Sequence, residues 1–166
     1  MRAWQGAMLC HMPFWRRKAP VAARAAYDRP VTVHPIGFVR NEVAKPRPRG
    51  WEKVESRIEL LAEHRAKVEG IEAFSHVIVV FYMDVAADAP EKPEELTLEG
   101  GNRYGILATR SQLRPNHLGV SAVELLGHEG GVLRVKGLDA IDGTAVLDVK
   151  PYLAEYDAFP GARRPG

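Results

Sequence analysis

Gly105-Ile106-Leu107-Ala108-Thr109-Arg110-Ser111-Gln112-Leu113-Arg114-Pro115-Asn116-His117-Leu118-Gly119-Val120-Ser121 is the stretch on which the fold turns. It enters as an apolar run and leaves into another, Val120 to Leu126. Arg110, Arg114, Asn116, His117 and several hydroxyls lie between them, with Pro115 and Gly119 to bend the backbone. This pattern predicts strand, polar loop, strand. A polar loop fixed at both ends by buried strands holds its side chains rigidly, and functional sites concentrate on such loops. The same pattern also describes a plain surface crossover with solvated arginines, and the residues alone leave both readings open.

Working outward, the N-terminal side supplies more strands. Phe74 to Met83 is almost wholly apolar and β-branched, which predicts the central buried strand. His76 inside that run is expected to be a satisfied core histidine rather than a catalyst. Ser56 to Leu61 alternates, with Ser56, Ile58 and Leu60 on one face. Ala62 to Glu69 reads as a short helix closed by Gly70, with Glu63 and Lys67 four apart. Val31 to Arg40 is expected to form the first strand, with Ile36 and Phe38 on one face. Pro46-Arg47-Pro48-Arg49-Gly50 reads as a stiff, extended loop, because proline fixes φ and removes amide donors.

On the C-terminal side, Gly127 to Gly131 predicts a hairpin connection and Val132 to Val135 a strand. Asp142-Gly143 is a turn signal, and Val146 to Val149 alternates as a further strand. Asp139 and Asp148 sit within apolar sequence, where a buried carboxylate needs a donor or a ligand. Asp84 to Leu98 is a long, acidic, proline-marked loop. The glycines of Gly100 to Gly105 invite a phosphate-loop reading. No helix follows them and the Gly-x-Gly-x-x-Gly order is absent, which excludes a Rossmann or P-loop site. Many short strands without β-α-β alternation predict a mainly β fold, a single compact barrel with one or two short helices.

The 166 residues suffice for one domain with a true core, expected over residues 31–160. Residues 1–30 are expected to be a mobile basic extension and 161–166 a tail. The extension carries Arg2, Arg16, Arg17, Lys18, Arg24 and Arg29 against Asp28, and the tail carries Arg163 and Arg164. The whole chain is only +2, so the domain between these ends is net acidic. Cys10 is the single cysteine, which rules out an intrachain disulfide and fits a reducing, cytoplasmic location. No apolar run is long enough to span a membrane. The six histidines show no metal-ligand spacing, so no metal is expected.

Three segments together resemble the TsaA-like (YaeB-like, TrmO-type) family of tRNA methyltransferases. They are Ile36-Gly37 with the Pro46-Arg47 loop; Gly70 to His76 with Gly105 to Ser121; and Leu138 to Thr144 with Asp148 to Tyr152. The second contains Ala108-Thr109-Arg110-Ser111 and Arg114-Pro115-Asn116, matching the family's A-T-R-S-x-x-R-P-N-x-x-G-x-S. The resemblance spans about residues 33 to 153. It implies a homodimeric β-barrel that binds S-adenosylmethionine without a Rossmann fold. It further implies methylation of the exocyclic nitrogen of threonylcarbamoyladenosine, next to the anticodon of tRNA.

Carried over by position, the cofactor contacts would be Pro46, Arg47, Pro48, Asp84, Arg110, Val120 and Lys136, Gly137, Leu138 and Asp139. Asn116, His117, Asp139 and Tyr152 are the candidates for catalysis. Arg114, Ser121, Asp148 and Lys150 fall on other signature positions. Arg110 suits a methionyl carboxylate, since Arg pairs strongly with carboxylates, and Asp139 suits an amine donor. Gln112 and His117 stand where the family often has proline. Longer bacterial members carry a further C-terminal domain, which leaves tRNA recognition less defined than cofactor binding. Methylation of another acceptor, or cofactor binding without turnover, are the alternatives that the residues leave open.

Overall fold

A computed structural model describes residues 30–89, 93–98 and 100–163. Six antiparallel strands close into a barrel in the order β1-β2-β7-β6-β3-β8, with β8 returning to β1. They are β1 (Gly37–Arg40), β2 (Glu55–Leu60), β3 (His76–Tyr82), β6 (Leu118–Glu129), β7 (Val132–Lys136) and β8 (Ala145–Pro151). β4 (Glu95–Thr97) and β5 (Arg103–Gly105) make a separate two-stranded ribbon. Closure leaves the barrel with no exposed sheet edge.

The period-2 pattern sets the inside of the barrel. On β2, Ser56, Ile58 and Leu60 are buried and their neighbours are not, as the alternation predicts. On β3, Val77, Val79 and Phe81 point inward; on β7, Leu133 and Val135 do the same. Val39, Val123, Leu138 and Val146 complete the centre of the core. β3 pairs with β6 along its whole length and with β8 on its other side, as each strand of a closed barrel has two neighbours. It is therefore a barrel strand buried on one face and not a central strand buried on both. Gly37 lies at the seam where β1 meets both β2 and β8. A Cβ there would stand 2.5 Å from the Glu59 carbonyl oxygen, so only glycine permits this approach.

Several local expectations are corrected. Ile106–Ala108 is a 3₁₀ turn, not strand, and the strand before it, β5, belongs to the ribbon and not to the barrel. The short helix expected at Ala62 to Glu69 is present over Ala62–Val68 as a 3₁₀ helix, and Gly70 follows with a left-handed φ of 86°. β1 begins only at Gly37, and its buried positions are Gly37 and Val39 rather than Ile36 and Phe38. His76 is exposed, not a core residue, and its Nδ1 meets Ser75 Oγ at 2.9 Å. Asp139 is exposed and Asp148 half-exposed, so neither is a buried carboxylate. Asp84–Leu98 is not loop throughout: Asp84–Ala87 forms one helical turn and β4 follows. Asp142 does sit in a turn, followed by Gly143 at φ 82°. The extension and the last residues of the tail lie outside the described residues.

Candidate active-site cleft

At the end of the barrel where β3 finishes, four separated segments surround a cleft of about 490 Å³. They are the Pro46–Trp51 loop, Phe81 to Ala86, Arg110 to Gln112, and Asp139 to Thr144. Each segment is held in place by contacts that its own residues make.

The first segment is a clasp. Trp51 Nε1 donates to the Arg47 carbonyl at 2.9 Å, and Arg47 Nη2 donates to the Gly50 carbonyl at 2.8 Å. The Arg47 guanidinium lies over the indole, 5.0 Å from its centroid. Gly50 turns the chain back with φ 85°, a conformation that costs glycine little.

The second segment ends β3 and enters the helical turn at Asp84, whose Oδ1 accepts the Val85 N–H at 2.9 Å. Phe81 contributes a buried ring; Met83, Val85 and Ala86 add apolar wall.

The third segment, Arg110 to Gln112, belongs to the polar loop between Ile106 and Leu118. Thr109 Oγ1 donates to the Ile106 carbonyl at 2.8 Å and accepts the Ser111 N–H at 3.2 Å. Ser111 Oγ accepts the Leu113 N–H at 3.1 Å. Such side-chain-to-backbone bonds replace a ladder where none is available. Arg114 then ties the loop to itself, with Nε on the Ser111 carbonyl at 3.1 Å and Nη2 on the Thr109 carbonyl at 2.8 Å. Arg110 remains exposed on the cleft and donates from Nη2 to the Val120 carbonyl at 2.8 Å.

His117 closes this loop. It is 7% exposed and sits at φ 49°, the one positive φ outside glycine among the described residues. Its N–H donates to the Arg114 carbonyl at 3.1 Å, and its carbonyl accepts the Met83 N–H at 2.9 Å. Its Nδ1 lies 3.2 Å from the Gln112 carbonyl, a contact that requires the proton on Nδ1. The edge of the ring faces Tyr82 at 6.3 Å.

The fourth segment follows β7. Asp139 accepts a hydrogen bond from Ser121 Oγ of β6. Asn41 latches the rest of the segment. Its Nδ2 donates to the Ala140 carbonyl and to Ser56 Oγ, each at 2.9 Å, and its N–H donates to Asp142 Oδ1 at 3.1 Å.

Of the expected cofactor contacts, Pro46, Arg47, Pro48, Asp84, Arg110 and Asp139 line this cleft. Val120, Lys136, Gly137 and Leu138 do not. Val120 faces outward at 48% exposure and reaches the cleft only through its carbonyl on Arg110. The Leu138 side chain is wholly buried in the core. Among the catalytic candidates only Asp139 lines the cleft. His117 lies behind the third segment and Asn116 is exposed beside it. Tyr152 is at the far end of β3, 6.2 Å from the His76 ring. Asp148 and Lys150 form an ion pair on β8. Sequence reasoning missed Trp51 and the latch Asn41. An aromatic directly after the Pro-Arg-Pro-Arg-Gly run was the available signal for Trp51. Among the described residues no group of three or more His, Cys, Asp or Glu could hold a metal ion. Nor is any helix there long and apolar enough to cross a membrane.

A mainly β, closed barrel with a cleft at one end, and no nucleotide-binding βαβ unit among the described residues, defines the class. The family model described as the tRNA-methyltransferase O N-terminal domain matches residues 38–158. Among curated relatives, tRNA (adenine(37)-N6)-methyltransferase of Escherichia coli is 36% identical over 140 residues, covering 76% of this chain and 60% of the relative. A Methanothermobacter thermautotrophicus protein named "Probable S-adenosyl-L-methionine-binding protein" is 35% identical, covering 80% of this chain and 97% of the relative. The crystal structure of TrmO from Pseudomonas aeruginosa superposes with a TM-score of 0.66 at 34% identity, covering 81% of this chain and 62% of that one. The chain belongs to the TrmO family of S-adenosylmethionine-dependent tRNA methyltransferases, the family that its motifs resemble. It spans nearly all of the archaeal relative but under two thirds of the bacterial ones.

Proposed function

We propose that the protein transfers a methyl group from S-adenosylmethionine to the exocyclic nitrogen of threonylcarbamoyladenosine beside the tRNA anticodon, in the cytoplasm, as a homodimer. The observation that carries this reading is the gathering of Arg47, Asp84, Arg110 and Asp139 from four distant segments around one cleft. Its volume falls in the range of small-molecule sites, which combine apolar walls with a few placed polar groups.

The residue types fit the cofactor. Arg110 offers a cation to the methionyl carboxylate, and Asp84 and Asp139 offer acceptors to amine donors. Phe81, Met83, Val85, Ala86 and Ile141 supply apolar wall for the remainder. When bound, S-adenosylmethionine supplies an electrophilic methyl on a sulfonium. The residues then have to align the acceptor nitrogen and exclude water. A carboxylate at the cleft is suited to receive the acceptor's proton, and Asp139 is the candidate on the wall. The Ser121 hydroxyl already donates to one of its oxygens, which fixes its direction.

The dimer reading has its own support. Residues paired directly across two strands share a face. On the outside of the barrel this places Leu118 beside Tyr82, Val120 beside Val80, and Ala122 beside Ile78. Leu118 and Val120 are 38% and 48% exposed. An apolar face of this kind suits a self-complementary contact.

The decisive experiment is mass spectrometry of nucleosides from threonylcarbamoyladenosine-containing tRNA after incubation with the protein and cofactor. A mass gain of one methyl on that nucleoside is expected. Unmodified tRNA with a labelled small molecule would redirect the acceptor. Cofactor binding without turnover on any acceptor would overturn the transferase reading.

A further inference from the structure

Trp51 is not used by the cofactor contacts described above, yet it lines the same cleft. It is half-buried and lies outside the hydrophobic core, so core packing does not explain it. Three contacts restrain the indole and the turn that carries it. The ring N–H is committed to the Arg47 carbonyl at 2.9 Å. The guanidinium of Arg47 lies over the ring at 5.0 Å. Its carbonyl accepts the Val54 N–H at 2.9 Å, which anchors the 3₁₀ turn that carries it. A cation over the ring is attractive in itself. Prolines at 46 and 48 stiffen the loop on which the cation is mounted.

We infer that Trp51, held by Arg47, is a stacking platform for a purine entering this cleft. The inference rests on the methyltransferase reading and names a residue which that reading leaves idle. A fixed aromatic ring favours a flat heterocycle over an aliphatic chain. Its polar atom is already satisfied within the loop, so it contributes area and polarisability rather than hydrogen-bond readout. Stacking of this kind tolerates any base and is worth roughly 1–3 kcal/mol per base, about 5- to 150-fold in affinity. Two purines meet at such a site: the adenine of the cofactor and the adenine of the acceptor nucleoside. The shared chemistry is the π-face, and the experiment separates the two sources.

The chain has three tryptophans, Trp4, Trp15 and Trp51. In a Trp4→Phe, Trp15→Phe background, Trp51 is the sole indole emitter. S-adenosylhomocysteine and tRNA are titrated separately while its fluorescence is followed, with calorimetry run in parallel. Quenching by S-adenosylhomocysteine alone assigns the cofactor's adenine; quenching by tRNA alone assigns the acceptor. Trp51→Phe keeps a π-face and should retain affinity for the quenching ligand within about threefold. Trp51→Leu keeps apolar bulk without the π-face and should lose about tenfold or more. Unchanged emission with both ligands, or equal affinities of the Phe and Leu variants, would overturn the platform. Calorimetric binding in that case leaves the methyltransferase reading standing. No binding of S-adenosylhomocysteine by calorimetry would count against that reading as well.

Discussion

The ring of Phe81 lies directly over the backbone of Gly119, its cross-strand partner between β3 and β6. A Cβ on Gly119 would stand 2.2 Å from ring Cε2, far inside any contact distance. Phe81 is 2% exposed and also walls the cleft, so it cannot swing out without emptying part of the core. Gly119→Ala should therefore cost about 1–3 kcal/mol by overpacking. Urea denaturation measures it. The same variant should weaken cofactor binding, because the displaced ring moves into the site. Combining it with Phe81→Leu should recover part of the loss, giving a coupling energy of opposite sign to the single effects. Strict additivity would mean that the ring and the glycine do not oppose each other.

Arg110 tests the cleft from the other side. It is exposed, and it donates from Nη2 to the Val120 carbonyl. Arg110→Ala should leave the thermal midpoint nearly unchanged. A charge-assisted hydrogen bond is worth about 1.5–3 kcal/mol, so affinity for S-adenosylmethionine should fall by about ten- to hundredfold. Calorimetric titration of the folded variant checks this, and an unchanged dissociation constant would remove Arg110 from the cofactor's contacts.

Arg114 should behave differently, although it stands four residues away in the same motif. Its guanidinium spans two carbonyls of its own loop, Thr109 and Ser111, and it does not line the cleft. Arg114→Lys cannot span both, since an ammonium lacks the fork. Both Arg114→Lys and Arg114→Ala should speed amide exchange across 109–117 and raise KM for the cofactor. Protection unchanged from wild type would show that the Thr109 and Ser111 turns hold the loop unaided.

These two arginines show how far the sequence could be read. The motif pointed to both, but only coordinates separate a cleft cation from a loop brace. The strand assignments followed alternation where one face is polar. On β2 the pattern names Ser56, Ile58 and Leu60 correctly. It fails at Ile36 and Phe38, because an inward glycine, Gly37, carries no side chain to mark the parity. It also fails at His76. There the outward face of β3 carries Ile78, Val80 and Tyr82, so both faces look apolar and alternation carries no signal. That second apolar face is itself informative, since a barrel needs only one. The cleft was beyond local patterns altogether: its walls come from residues nearly a hundred positions apart. Family resemblance supplied six of its lining residues, and could not supply Trp51, which lies outside the motifs.

The outward apolar face leads to a further expectation. If a second copy covers Leu118, Val120, Val80 and Tyr82, a charge there is intolerable in the dimer and harmless in the monomer. Val120→Glu should give a folded monomer by sedimentation at micromolar concentration, where the wild type should give a dimer. Because the Val120 carbonyl and not its side chain meets Arg110, the substitution spares that bond. A wild-type monomer mass would end the dimer proposal.

The final expectation concerns the basic ends and the polyanionic acceptor. The segment before residue 30 carries six cationic side chains against Asp28, while the chain as a whole is only +2. The barrel domain is thus net acidic, and its exposed arginines are partly committed. Arg40 meets Glu59 at 3.3 Å and Arg57 meets the same carboxylate at 4.0 Å. Arg103 pairs with Glu95 and Lys150 with Asp148. Long-range attraction to tRNA is therefore expected to come chiefly from the first 29 residues. Deleting residues 1–29 should leave affinity for S-adenosylmethionine intact, since every described residue that lines the cleft is retained. It should weaken tRNA binding through loss of phosphate contacts, which fix position without reading sequence. Each lost contact should make the log–log salt dependence shallower by roughly 0.7–0.9. Filter binding of full-length and shortened protein across a salt series gives both quantities. Equal affinity and equal slope would move the phosphate contacts onto the barrel, where the exposed Lys45, Arg47 and Arg49 would be the next residues to neutralise.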